Sequence, residues 1–259
     1  MTPRPESPLG SAVDALHAAL LRAGESVPRV REILAGPIEE QVLAAVLRRA
    51  VPVAFLETVA STRPWSERPR VLARIVLNPK VPRALSLRLV SQLSWRDLAD
   101  VAAGPWVTAA ARQRAESLLR DGLRDMRVGD RVTLARLATS GVLPLLLTDS
   151  ETRVVEAALF NPRLREQDLV TALRRDDVVP SLLHAGSSSP RWADNYAVRL
   201  ALVLQPRTPL AVALLQISSL VPRDLQRVCA TAGLRPLLKA SAAAVLEKKR
   251  EESNPRRLN

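Results

Sequence analysis

The sequence predicts an all-α chain, folded as a right-handed α-solenoid of about five helical repeats. Three observations predict it. Of the 259 residues 47% are hydrophobic but only 3% aromatic, so Leu, Ala and Val carry the apolar weight. Leu and Ala are strong helix formers, whereas a large β-sandwich draws on more aromatic and β-branched side chains. Glycine is scarce (9) and proline plentiful (20), a pairing that suits short helices separated by proline-marked turns. Most tellingly, Trp65–Ala103 aligns without a gap onto Trp192–Ala230, about 127 residues away, with about fifteen identities.

In that alignment Trp65 falls on Trp192, Val71 on Val198, Pro79 on Pro206 and Pro82 on Pro209. Arg96, Asp97 and Leu98 fall on Arg223, Asp224 and Leu225. A third, shorter copy, Val154–Arg163, matches Val198–Arg207, and its proline lies about 44 residues before Pro206. The long offset therefore reads as three units of roughly 42 residues, the length of a two-helix repeat.

Taken in order, residues 1–10 read as a disordered arm. Residues 11–60 form an opening unit with Leu16, Leu20, Leu43, Val46 and Leu47 inward. Further units follow at about 61–105, 106–149, 150–190 and 191–233. Leu234–Lys249 caps a single domain over 11–249, and residues 250–259 form a charged disordered tail.

Within one unit, Tyr196–Leu204 places Val198 and Leu202 on a buried stripe. It stops at Gln205 because a residue before proline is pushed out of the α region. Thr208 is the expected cap of the next helix and Pro209 suits its first turn. That helix runs through Leu210, Ala213, Leu214, Ile217 and Leu220. A short helix then starts near Pro222; in the earlier copy Ser94 is its expected cap. Gly186–Pro190 reads as the clearest flexible loop, and Asp121–Asp130 is the least readable stretch.

The period resembles that of HEAT and armadillo repeats. The Val198–Leu210 stretch and the turns at Asn78-Pro79 and Asn161-Pro162 also resemble the bacterial leucine-rich-repeat variant family, which has a shorter period, about 24 residues. Both resemblances imply interaction surfaces, not a catalytic activity. The iron–sulfur cluster of some variant-repeat proteins would need several cysteines, and this chain has only Cys229.

Candidate chemistry is sparse. Cys229 alone excludes an internal disulfide and a cysteine-based zinc cluster, and fits a reducing cytoplasm. The N-terminal stretch has no apolar h-region, so no signal peptide is expected. Val198–Leu220, the most apolar stretch, is broken by Arg199, Pro206, Arg207 and Pro209, so no membrane span is expected. His17 and His184 lie far apart, with no carboxylates at metal-ligand spacing. Ser187, Ser188 and Ser189 near His184, Asp176 and Asp177 lack a nucleophile elbow and read as a linker. No cofactor, metal or catalytic set is expected. Among enzymes on HEAT-like folds, DNA glycosylases use Trp and Asp in a cleft; here Trp65, Trp95, Trp106, Trp192 and Asp97 read as packing residues instead, on the recurrence of Trp65 as Trp192 and of Asp97 as Asp224.

The net charge is +12, which favours an acidic partner. Lys80, Arg163 and Arg207 each follow an inter-helix proline, and Arg96 and Arg223 each precede an Asp-Leu pair. In a solenoid such positions would stack into ladders able to follow an acidic peptide or a phosphate backbone. The expected function is a non-enzymatic scaffold binding a protein partner. The alternative is a basic nucleic-acid-binding module using non-specific phosphate contacts, with the glycosylase reading third.

Overall fold

The computed structural model describes residues 8–252, and contacts divide the chain into two compact units, Met1–Arg124 and Asp125–Asn259. No strand occurs among the described residues. Unit 1 contains α1 (Pro8–Ala23), α2 (Val27–Ala35), α3 (Glu40–Val46), α4 (Val53–Ser61), α5 (Pro69–Val76), α6 (Arg83–Val90), α7 (Trp95–Ala103) and α8 (Ala109–Gly122). Unit 2 contains α9 (Val128–Leu137), α10 (Leu143–Leu146), α11 (Thr152–Leu159), α12 (Glu166–Leu173), α13 (Pro180–Ser188), α14 (Tyr196–Leu204), α15 (Leu210–Ile217), α16 (Pro222–Ala230) and α17 (Pro236–Glu252). Prolines mark the starts. Pro69, Pro180, Pro222 and Pro236 open helices, where a missing N–H costs nothing, and Pro52, Pro82 and Pro209 stand just before them.

The two units are built alike. Helices α4, α6 and α7 map onto α13, α15 and α16, start for start and end for end, at the offset that relates Trp65 to Trp192. The packing repeats with the order. In unit 1, α2 packs on α4, α3 on α5, α5 on α7 and α6 on α8; in unit 2, α11 packs on α13, α12 on α14, α14 on α16 and α15 on α17. The core repeats residue by residue. In unit 2 one apolar cluster joins Leu200 and Val203 of α14, Ala213 and Ile217 of α15, Leu220, Leu225, Val228, Leu234 and, from α17, Leu238, Ala242 and Leu246. Their counterparts in unit 1, at the same offset, are Ala73, Val76, Ser86, Val90, Leu93, Leu98, Val101, Val107, Ala111, Ala115 and Leu119, and every one of these is buried. The offset of about 127 residues carries the seven helices α2–α8 onto α11–α17, stepping over nine helices from α2 to α11. The stretches expected as two-helix units each hold three helices from residue 61 onward. Asp121–Asp130 is almost wholly helical, being the end of α8, a 3-10 turn over Leu123–Asp125 and the start of α9, and the boundary between the units falls within it.

A polar device recurs at the turns. The Asn78 side-chain amide donates to the carbonyls of Leu47 and Arg49, both at 2.7 Å, at the end of α3. Asn161 donates to Ala135 and Ala138 at the end of α9, at 2.8 and 3.0 Å. Gln205 donates to Leu173 and Arg175 at the end of α12, at 2.7 and 3.0 Å. Each amide oxygen then accepts the N–H two residues on, from Lys80, Arg163 or Arg207. The end of a helix leaves carbonyls without intrahelical donors, and a primary amide has two N–H groups to offer them. The proline that follows each amide has no N–H to satisfy. All three amide residues are buried.

Several expectations are corrected. Pro8 opens α1 and α17 runs to Glu252, so residues 8–10 and 250–252 are helical; the rest of the expected arm and tail lies outside the described residues. Gly186, Ser187 and Ser188 belong to α13, not to a loop. The Ser187 and Ser188 hydroxyls donate back to the His184 carbonyl, and Gly186 is buried. Pro209, not Thr208, stands at the cap position of α15, and Thr208 turns its side chain inward. Ser94 does cap α7, accepting from the Asp97 N–H at 3.4 Å, and its hydroxyl donates to the Asp97 carboxylate at 2.6 Å. In the second copy Val221 replaces this serine, and the Tyr196 hydroxyl takes over. It accepts from the Val221 N–H at 3.2 Å and donates to Asp224. Burial, then the bond to Asp224, pushes the Tyr196 phenol above its ordinary range.

Candidate functional site

Where the copies agree, residues pack or clamp. A site particular to one unit must therefore lie where they differ. In unit 1, α3, α5 and α7 stack and leave a groove of about 630 Å³ across their outer faces. Its apolar lining is Ala44 and Ala45 from α3, Ala73 from α5, Leu77 just after α5, and Leu9 from α1. Its walls carry Arg48, Arg70 and Arg74 with Glu40, Asp97 and Asp100. A neighbouring hollow along the starts of α5 and α7 shares Glu40, Arg70 and Asp97 and adds Arg68 and Arg96.

The charges are unequally committed. Glu40 is ion-paired with Arg68, and Asp97 is held by the Ser94 hydroxyl. Arg48 and Arg70 are exposed and Arg74 is half-buried. None of these three arginines makes a side-chain hydrogen bond or ion pair among the described residues. The groove therefore offers three uncommitted cations, while two of its three acids are occupied.

Unit 2 lacks this arrangement at the equivalent places. Ala197 stands for Arg70 and Ala201 for Arg74. Arg175, the counterpart of Arg48, is paired with Asp177 through bonds of 2.7 and 2.8 Å, which hold that carboxyl below its usual range. A related link persists one position away: Arg68 pairs with Glu40, whereas its counterpart Asn195 donates to Glu166, the counterpart of Glu39, at 2.7 Å.

The residues of the expected basic ladder fall as follows. Lys80, Arg163 and Arg207 are exposed and donate their backbone N–H groups to the clamps. The clamp uses the backbone at these positions, not the basic side chain. The Arg163 guanidinium donates to the Leu137 carbonyl at 3.0 Å. In unit 2, α11 stacks with α9 and α13, but α14 stacks with α12 and α16, so Arg163 and Arg207 close turns of different helix rows. Arg223 is exposed in the first turn of α16. Arg96 lies over the Trp95 ring at 4.6 Å and borders the groove.

Sequence reasoning missed Arg48, Arg70 and Arg74 because it sought residues that recur. The signal was available in the differences: Arg70 and Arg74 are one helical turn apart on one face of α5, where the second copy has only alanine.

Other candidate chemistry resolves into structure. His17 bonds to the Ala50 carbonyl at 3.0 Å, and Cys229 is half-buried 3.8 Å from the Lys239 carbonyl. Trp65 and Trp192 are both buried, each with an arginine over its ring, but Trp106, expected to pack, is 76% exposed. Among the described residues no cluster of three or more His, Cys, Asp or Glu could hold a metal ion, and no helix is long and apolar enough to cross a membrane. No family model, curated protein or solved structure matches the chain.

Proposed function

We propose that the chain is a non-enzymatic interaction scaffold, each unit a short α-solenoid of HEAT or armadillo type, and that it binds a protein partner through the α3–α5–α7 face. The observation that carries this reading is the groove with three uncommitted arginines, set in a frame whose recurring polar side chains are spent on its own backbone. The packing of α1 on α3, α3 on α5 and α5 on α7, and of α12 on α14 and α14 on α16, supports the solenoid arrangement, because such stacking leaves one face of a helix row open along its length. Its alternating small residues and charges suit a polypeptide.

Affinity capture from the native host tests the reading. The unaltered protein should retain a defined protein, and R70E/R74E should lose it. If the unaltered protein retains only nucleic acid, with binding that falls steeply as salt rises, the scaffold reading gives way to the phosphate-binding one.

A further inference from the structure

Resting on the scaffold reading, we infer that the α3–α5–α7 groove takes an acidic segment of the partner, an extended stretch bearing two or three carboxylates interspersed with aliphatic side chains.

Charge complementarity decides the class of occupant. Arg48, from the turn that follows α3, and Arg70 and Arg74, from α5, have no partners among the described residues. A guanidinium is planar and can hold a carboxylate through two parallel N–H donors, so each arginine is a ready receptor for one acidic side chain. The apolar lining includes Ala44, Ala45 and Ala73, small enough for a peptide backbone to approach and for aliphatic side chains to be buried.

The same groove disfavours a nucleic acid. A phosphate backbone carries its charge at every step, and Asp97 and Asp100 on α7 would face it. Asp100, exposed on α7, can instead receive a peptide N–H or a basic side chain. The position of the arginines supports a binding role over general solubility: the helix arrangement occurs twice, and α14 holds the place of α5 in unit 2 with Ala197 and Ala201. The fold therefore does not need Arg70 or Arg74.

Fluorescence anisotropy on the full chain tests this directly. The probes are a short labelled peptide alternating glutamate and leucine, its lysine–leucine counterpart, and a labelled oligothymidylate. The glutamate peptide should bind, and R48A/R70A/R74A should weaken it by at least about tenfold, the loss expected when charged contacts are truncated. R163A/R207A, in the other unit, should bind as the unaltered protein does. Circular dichroism melts should confirm that each variant is folded; if the triple variant is not, R70Q carries the test, with a smaller loss in the same direction.

The inference is overturned if the glutamate peptide does not bind, if the triple variant binds it equally well, or if the lysine peptide binds as tightly. It is overturned in favour of nucleic acid if oligothymidylate is preferred and depends on the same arginines. A native partner that still binds the triple variant would remove this groove as its site and leave the scaffold reading standing. Failure to capture any partner with the unaltered protein would remove the scaffold reading itself.

Discussion

Asp149→Ala should destabilise unit 2 by about 3–5 kcal/mol, the usual cost of stranding one half of a buried ion pair. Arg131 on α9 meets Asp149 through Nε at 2.8 Å and Nη2 at 3.3 Å, with side-chain exposures of only 16% and 12%. Its Nη1 donates to the Met126 carbonyl at 2.9 Å. The same carboxylate accepts the Glu151 N–H at 2.9 Å, just before α11, and the Asp149 carbonyl accepts from the Ser181 hydroxyl of α13. One residue thus ties α9, α11 and α13 together. Removing its carboxylate leaves a guanidinium half-desolvated without its anion. Replacing both partners with leucine should recover much of the loss, because the cost lies in the stranded charge. Urea unfolding of the two variants measures the difference; a loss below about 1 kcal/mol for Asp149→Ala, the range of an exposed pair, would refute this account of the contact.

The second large effect concerns the amide clamps. Asn161→Ala leaves the Ala135 and Ala138 carbonyls without their donor and the Arg163 N–H without its acceptor. At about 1–3 kcal/mol for each buried group left unsatisfied, with partial relief by water, the loss should be about 2–4 kcal/mol. Asn161→Asp should be as damaging, since a carboxylate would face two carbonyl oxygens with no proton to offer. Asn161→Gln should cost far less, because glutamine performs the same task at position 205. That order of stability, read from thermal or urea unfolding, separates a clamp from simple side-chain packing; equal losses for Ala and Gln would point to packing.

Much of the fold was legible because helix chemistry is local. Leu and Ala periodicity, proline placement and the Ser94 cap each leave a mark within a few residues, and the structure has helices where they point. The long self-match was visible too. What stayed hidden was its meaning. The three helices between Pro162 and Pro206 look like one short repeat, yet α11 packs on α9 and α14 on α12, so Asn161 and Gln205 serve different rows. Only tertiary contacts distinguish a stacked repeat from a copied module. The amides themselves were read as punctuation before proline, since nothing local reveals carbonyls 23 to 32 residues upstream. Gly186–Ser188 was misread because serine and glycine are common in loops, whereas here the hydroxyls bond back into the helix. The candidate groove was obscured for the opposite reason: its arginines fail to recur.

The central claim is that one seven-helix module occurs twice, each copy with its own core. Circular dichroism of residues 1–124 and 125–259, produced as separate chains and melted in parallel, tests it most directly. The account predicts that both fragments are strongly helical and that each unfolds in a single cooperative transition. Broad, non-cooperative loss of helix in both fragments would contradict it.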